Sequence, residues 1–303
     1  MPPRPLAALA ALILATAGHA LAQDKPLVFT GARIIPIAGQ PVDNGVLVVQ
    51  GGRILAVGPA ASTTIPAGAE VRAARGKVIM PGLVDSHSHI GGASGADGAS
   101  PVQPDVRVLD AIDVRHASIQ KAQAGGITTV NVMPGSGHLI SGQTLYLKLR
   151  DGRVIDDLLI RLPDGSTAGG LKMANGTNSI RTPGGPFPGS RAKSAALVRE
   201  QFVKAQEYKA RRERAGDDPE KLPPRDLALE MLVEVLEGRR IVQHHTHRHD
   251  DILTVLRLAD EFKLKVVLHH VSDGWMVARE VAASPQILGA SVIVIDSPGG
   301  KLE

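Results

Sequence analysis

GKVIMPGLVDSHSH, which spans residues 76–89, contains two apolar runs separated by a Pro-Gly pair and ends in two histidines one residue apart. In a β-strand, residues i and i+2 point to the same face, so the imidazoles of His87 and His89 converge on one point. Neutral imidazole is a common ligand of zinc and related divalent metals. The stretch therefore predicts a buried strand whose end presents two nitrogen ligands, although an H-x-H pair alone also arises often by chance.

The sequence on either side of this stretch follows two different patterns. Over residues 27–71, short apolar runs alternate with turn signals such as Asp-Asn-Gly and Gly-Gly, which predicts a small β unit. From residue 78 onward, apolar strands alternate with helical segments, which is typical of parallel βαβ units. We expect helices over residues 105–124, 191–216, 226–237 and 250–262, and strands over residues 127–132, 239–244, 264–269 and 290–295.

Two of the later strands lead into histidines. Residues 243–251 read QHHTHRHDD, and residues 266–273 read VVLHHVSD. In parallel α/β folds, the carboxyl ends of the strands carry the functional side chains. A lone histidine is more often a core residue with satisfied hydrogen bonds, but two histidine-bearing strand ends one βα unit apart favour metal ligands.

Residues 76–89 resemble, almost residue for residue, the first-strand signature of the amidohydrolase superfamily of metal-dependent hydrolases. The likeness extends from about residue 27 to the end of the chain, and it is greatest to an exported branch related to imidazolonepropionases and Xaa-Pro dipeptidases. It implies an α/β fold: a (β/α)8 TIM-type barrel over residues 77–303, flanked by a small β-sandwich whose N-terminal part is residues 23–76.

The resemblance also implies a set of metal ligands at the barrel strands. The family pattern His-x-His-Arg-x-Asp-Asp-Ile falls on His245 and His247, and the fifth-strand ligand is carried onto His245. The fourth strand of the family supplies a carboxylated lysine that bridges two ions. The implied ligands are His87, His89, Lys172, His245 and His270.

Other histidines and lysines receive a different interpretation. Lys148 is the alternative to Lys172 for the bridging position, and an ordinary surface lysine is the default interpretation of both. Because side chains alternate along a strand, we expect His269 on the opposite face from His270. Surface or polar rim positions are expected for His116, His244 and His249.

The implied reaction is hydrolysis of a carbon–nitrogen bond, in an amide or a peptide, by a metal-activated water. The expected cofactor is a divalent metal, zinc by preference, as one or two ions, and the expected substrate is a small molecule or a short peptide. In the family, an Asp on the eighth strand moves the proton. This chain stops at Glu303 after about seven strands, so the catalytic residue stays unknown; Asp296 reads better as a turn-initiating residue.

The end of the sequence at Glu303 leaves two functional hypotheses open. An incomplete barrel exposes two sheet edges, which is an aggregation hazard. We therefore expect the chain to be part of a longer hydrolase of roughly 400 residues or more. The alternative is a catalytically incomplete fragment that acts only as a metal-binding or interaction protein.

The composition narrows the choice of metal site and partner. The 303 residues contain no cysteine, which excludes disulfides and thiolate ligands. The chain is basic, with a pI of about 9.4, but the excess of Lys and Arg is concentrated in residues 191–216. That pattern favours a solvated helix face over a nucleic-acid partner.

Residues 1–22 have the features of an export signal peptide. Arg4 precedes an apolar run over residues 6–17, and Ala20-Leu21-Ala22 supplies a small-x-small cleavage site. The run is shorter than the roughly 20 residues that cross a bilayer. We expect an exported protein, periplasmic or secreted, with no membrane contact after signal removal, and we leave homo-oligomer formation open.

Overall fold

The computed structural model of the chain describes residues 25–93, 97–181 and 187–292. These residues form two compact units, one ending at Pro81 and the other beginning at Gly82. The boundary lies a few residues after the one expected between residues 76 and 77. The predicted export signal over residues 1–22 and Asp296 lie outside the described residues.

The N-terminal unit is one five-stranded mixed sheet. Its strands are β1 (Leu27–Ile34), β2 (Val42–Gln50), β3 (Arg53–Pro59), β4 (Glu70–Ala73) and β5 (Val78–Ile79). β2 pairs antiparallel with β1 and β3, whereas β4 and β5 pair parallel with β1. Gly51 and Gly52, between β2 and β3, have φ angles of 57° and 72°. Two consecutive positive φ angles suit a tight hairpin, so the Gly-Gly pair forms the expected turn.

The second unit alternates strands with helices. Its strands are β6 (Leu83–Ser88), β7 (Ile127–Val132), β8 (Ile140–Gln143), β9 (Leu145–Lys148), β10 (Leu171–Ala174), β11 (Val242–Thr246), β12 (Val266–His270) and β13 (Ile287–Ser291). Its α-helices are α1 (Ala117–Ala124), α2 (Arg191–Ala215), α3 (Leu227–Leu236), α4 (His249–Phe262) and α5 (Ala278–Ala283). β6 pairs parallel with β7, and β10 to β13 form a parallel run in chain order. This is an α/β fold of the TIM-barrel type, with incomplete barrel strands.

Strands β8 and β9 run in the direction opposite to the one that a parallel barrel predicts. β9 is antiparallel to β7, and β8 is antiparallel to β10. A parallel return needs a crossover of about a dozen residues or more, and the link over residues 133–139 contains no helix. The chain therefore reverses here. Backbone hydrogen bonds from Thr144 to Gly170 (2.9 Å) and from Tyr146 to Ala168 (3.0 Å) continue the ladder through this position.

The expected helix over residues 105–124 is wrong in its first half. α1 begins only at Ala117, and a short 3-10 turn occupies Val108–Asp110. The N–H of Gln143 donates to the carbonyl of Val106 at 2.7 Å, so this segment lies against β8. Tertiary pairing has overridden local helix propensity. The strands expected over residues 239–244 and 264–269 do form, beginning two or three residues later. β13 overlaps the start of the strand expected over residues 290–295, whose last three residues lie outside the described residues.

Helices α2 and α4 pack their apolar faces into a common core with the parallel run. The rings of Phe202 and Phe262 stack at 5.2 Å within it. The charged face of α2 makes exposed ion pairs, such as Lys204 with Glu200 and Arg199 with Glu261, as a solvated helix should. Across the residues that the structure describes, none of the helices combines the length and apolarity needed to cross a membrane.

Candidate metal centre

The implied ligands lie together in the second unit, at the strand ends. His87 is in β6 and His89 follows it, whereas β11 carries His245 and β12 ends at His270. The ring of His270 lies 5.0 Å from that of His87 and 4.3 Å from that of His245, measured between centroids. The ends of β6, β11 and β12 thus bring together histidines distant in sequence.

His87 and His89 have the separation of two ligands on one ion. Their Nε2 atoms lie 3.2 Å apart. The carbonyl of Met133 can only accept, so the Nδ1 of His89, at 2.7 Å, donates to it and leaves Nε2 with its lone pair. Two nitrogens bound tetrahedrally to zinc stand roughly 3.3 Å apart, given Zn–N bonds of about 2.0–2.1 Å. The pair fits a shared ion.

His269 and His270 do not point to opposite faces at the end of β12. The Nδ1 of His269 is 3.0 Å from the Nδ1 of His87, so His269 approaches the ligand pair from the same side as His270. The expectation of opposite faces is wrong because His270 and Val271 have positive φ angles of 73° and 55°. Alternation holds only while the backbone stays extended.

The contacts of His269 determine how His87 is protonated. The Nε2 of His269 donates to the side-chain carbonyl of Gln243 at 2.7 Å, so its Nδ1 is an acceptor. The Nδ1 of His87 donates to that acceptor, and the lone pair of His87 is left on Nε2, facing His89. His269 and Gln243 therefore orient His87 as a partner outside the ligand set.

Burial keeps these imidazoles neutral. Burial, reinforced by the nearby Lys172, lowers the pKa of His87 to about 2 and that of His269 to about 3. Burial also lowers the pKa of His89. At neutral pH each ring is uncharged and offers a lone pair, which is the form that binds a metal ion.

The two lysines considered for the bridging position differ in burial and in their contacts. Lys172 is fully buried in β10, where its Nζ contacts the sulfur of Met133 at 3.2 Å. Burial lowers its pKa to about 7, so a large fraction is the neutral amine that carboxylation requires. Lys148 is exposed and donates to the hydroxyl of Thr129. The position beside the histidines belongs to Lys172, and its carboxylation stays a prediction.

A second group of donors includes a histidine to which the sequence assigned no ligand role. Ligand nitrogens of His245, His247 and His270 all lie within 4.8 Å of one another. The amide of Asn178 contacts the Nε2 of His245 at 3.1 Å, and the hydroxyl of Ser272 lies 2.7 Å from the Nδ1 of His247. The i, i+2 spacing of His245 and His247, the same as in the first pair, is the sequence signal that would have identified it.

The remaining expected surface histidines behave differently from one another. His244 is buried, and its Nδ1 donates to the carbonyl of His245 at 3.0 Å, so the rim assignment is wrong. Its side chain faces α2 and α4, because it alternates with His245 in β11. His249 is exposed, with its Nδ1 3.6 Å from a carboxylate oxygen of Asp273. His116 is exposed and caps the N-terminus of α1.

Carboxylates are scarce around these donors. Within residues 25–93, 97–181 and 187–292, no Asp or Glu joins the histidine trio as a further ligand. Asp85 lies beside the first pair and accepts a hydrogen bond from the backbone N–H of His87 at 3.0 Å. The expected eighth-strand Asp has no counterpart among the described residues, so no catalytic base is assigned.

Curated proteins with similar sequences are hydrolases. The chain is 27% identical over 241 residues to amidohydrolase tasK of Hapsidospora irregularis, a match that covers 71% of this chain and 25% of that protein. It is 40% identical over 65 residues to a 5-methylthioadenosine/S-adenosylhomocysteine deaminase of Symbiobacterium thermophilum, covering 21% of this chain and 15% of that protein. The chain thus spans a quarter or less of the length of these relatives. No family model matches it.

A solved structure supports the same relationship. The amidohydrolase from Thermotoga maritima MSB8 has a TM-score of 0.77 and 29% sequence identity to this chain. The match covers 88% of this chain and 69% of that one. The likeness therefore extends over both sequence and fold.

Replacing both His87 and His89 by Ala should lower the bound metal. The change removes the two converging nitrogens, so we expect at least one zinc ion fewer per chain after loading and desalting, measured by mass spectrometry of the metal. His116→Asn, which keeps a helix-capping side chain on an exposed histidine position, should retain the full content. Equal zinc in the double variant and the native chain would contradict the ligand assignment.

His269→Leu should weaken metal binding although it removes no assigned ligand. Loss of the outer partner of His87 is expected to reduce affinity roughly 10–100-fold. His269→Gln, which retains an acceptor for His87, should lose less. Competition with a chromophoric chelator measures both variants, and His269→Leu with native affinity would refute the positioning role.

Proposed function

Because the chain belongs to the amidohydrolase superfamily, we propose that it is a metal-dependent hydrolase that cleaves carbon–nitrogen bonds of small molecules or short peptides. Its relatives are hydrolases that act on carbon–nitrogen bonds. The observation that carries the proposal is the convergence of imidazoles at the ends of β6, β11 and β12. These relatives favour a hydrolase over a non-catalytic metal-binding protein.

The proposed cofactor is zinc, as one or two ions, held by His87, His89, His245 and His270 with Lys172 as a bridge. Imidazole donors without thiolates suit zinc among the available divalent metals. When bound, such an ion acts as a Lewis acid that acidifies water and polarises a carbonyl. The residues of the chain fix the donors beforehand: Met133 orients His89, and His269 orients His87.

The carboxylated form of Lys172 is proposed on the same physical basis. A lysine nitrogen reacts with carbon dioxide only when it is uncharged, and full burial provides that state near neutral pH. The product is an anion in a region of neutral donors, where a bound cation would compensate its charge. The lysine thus supplies the negative charge that the described histidines lack.

Hydrolysis should be observed in a substrate panel chosen by bond type. We expect the zinc-loaded protein to release amine from at least one of three classes: N-acyl amino acids, Xaa-Pro dipeptides and cyclic amides. Amine release or ring opening is followed by mass spectrometry. Treatment with a chelator should abolish the reaction, and added zinc should restore it.

The same panel distinguishes specific from adventitious turnover. The His87→Ala/His89→Ala variant should behave like the chelated protein, and His116→Asn like the native one. Turnover that persists without metal would contradict the proposed chemistry. A fully loaded protein that hydrolyses none of the three classes would contradict the proposed substrates.

We also propose that the protein is exported, on the strength of the charged, apolar and small-residue pattern over residues 1–22. Expression in a Gram-negative host should yield periplasmic protein that begins at Gln23, which N-terminal sequencing detects. Cytoplasmic protein that retains residues 1–22 would contradict this.

A further inference from the structure

His138 is a buried side chain whose polar atoms have no partner. It lies in the link between β7 and β8 and is only 4% exposed. Neither of its ring nitrogens has a hydrogen-bond partner among the residues that the structure describes. A buried imidazole in this state is costly, because it has given up hydrogen bonds to water and gained none. The cost is accounted for when a bound molecule supplies the partner.

An arginine lies close to this imidazole. The guanidinium of Arg181 lies over the ring of Phe187, 4.4 Å from its centroid, and the rings of Phe187 and His138 are 5.3 Å apart. An amino nitrogen of Arg181 also donates to the carbonyl of Gly137 at 3.0 Å. That bond uses one of the five N–H donors of an arginine. His138 and Arg181 therefore offer several donors and one positive charge at the same place.

The charge states of these groups suit an anionic ligand. Burial, and next the charge of Arg181, lower the pKa of His138, while the exposed carboxylate of Asp97 acts in the opposite direction. At physiological pH the ring is therefore neutral and has one N–H donor. A guanidinium beside a neutral N–H donor can bind both oxygens of a carboxylate, because hydrogen bonds that involve charged groups are the stronger ones.

The two loops that carry His138 and Arg181 also contact the candidate metal centre. The loop after β7 begins at Met133, whose carbonyl accepts from His89. The loop after β10 includes Asn178, whose amide lies 3.1 Å from the Nε2 of His245. The same amide donates to the hydroxyl of Ser136 at 3.1 Å, which joins the two loops. The donors of His138 and Arg181 thus lie on loops that border the histidines.

We propose that His138 and Arg181 bind a carboxylate of the substrate, so that the hydrolase acts on N-acyl amino acids and dipeptides with a free carboxylate. This inference rests on the proposed function and narrows its substrate class. Arg181 supplies the charge, and the N–H of His138 donates to a carboxylate oxygen. The ring of Phe187, against which the guanidinium lies, supports its orientation.

Binding to chelator-treated protein tests this subsite without hydrolysis. The probes are the N-acetyl derivatives of glycine, leucine, phenylalanine and proline, each compared with its carboxamide, which keeps the shape and removes the charge. Isothermal titration calorimetry measures the affinities. We expect at least one acid to bind roughly 10–100-fold more tightly than its carboxamide. Equal affinities within every pair would overturn the proposal.

Arg181→Gln tests the role of the guanidinium. The variant removes the charge and keeps an N–H donor for Gly137, so it should weaken binding of the acid roughly 10–100-fold and leave the carboxamide unchanged. Arg199→Gln is the matched control, because Arg199 is also an exposed arginine but pairs with Glu261. It should bind the acid like the native protein. Native affinity for the acid in Arg181→Gln would overturn the proposal.

His138→Leu separates a binding role from a structural one. Leucine has a similar volume and removes a buried polar group that has no partner, so the variant should be at least as stable to heat as the native protein. Its affinity for the acid should nevertheless fall at least fivefold. A lower Tm, measured by circular dichroism, with unchanged affinity for the acid would show a structural role and overturn the assignment. Where His138→Leu does not fold, Arg181→Gln alone decides.

Turnover separates this inference from the proposed function. If the zinc-loaded protein cleaves the acyl bond of a carboxamide with the same kcat/KM as that of the matching acid, the inference is overturned and the hydrolase proposal stands. Chelator-treated protein that binds the acid through Arg181, but cleaves nothing once loaded with zinc, would overturn the proposed function and leave the carboxylate subsite intact.

Discussion

The parallel pairing of β11 with β12 is the constraint on which the candidate metal centre depends. Its register sets His245 opposite His269 and Thr246 opposite His270. β10 continues the run with Ala174 opposite His245 and Lys172 opposite Gln243, two residues before His245. A slip of one residue would turn every one of these side chains to the other face. The apolar packing that fixes the register therefore also fixes the positions of the donors.

Burial, more than acidic partners, sets the charge state of this cluster. The main cause of the low pKa of His87 and His269 is loss of water, and the second is the neighbouring Lys172. Each proton added would place a cation beside others in a region with little solvent. His87 and His269 are therefore neutral at physiological pH. A single divalent cation can satisfy several such lone pairs at once, which protons cannot do without mutual repulsion.

The sequence predicts which strand ends converge better than it predicts the path of the chain between them. The motif over residues 76–89 and the two later histidine runs identify the rings that meet, because functional side chains lie at the carboxyl ends of the strands in a barrel fold. Two features of the chain path could not be predicted from the local sequence because they depend on tertiary structure. The direction of the chain over residues 140–148 follows from a link too short for a crossover helix. The segment around Val106 pairs with β8, although its own composition also suits a helix.

The two left-handed residues at the end of β12 show how the site departs from regular structure. An extended His270 would point away from His269, and only one of the two rings would reach His87. Positive φ angles at His270 and Val271 bring both rings there. For a β-branched residue such as Val271, this backbone costs of order 1–3 kcal/mol. The bond from Val271 to Thr246 at 2.9 Å helps to hold it. The strained backbone therefore lies where the candidate ligands converge.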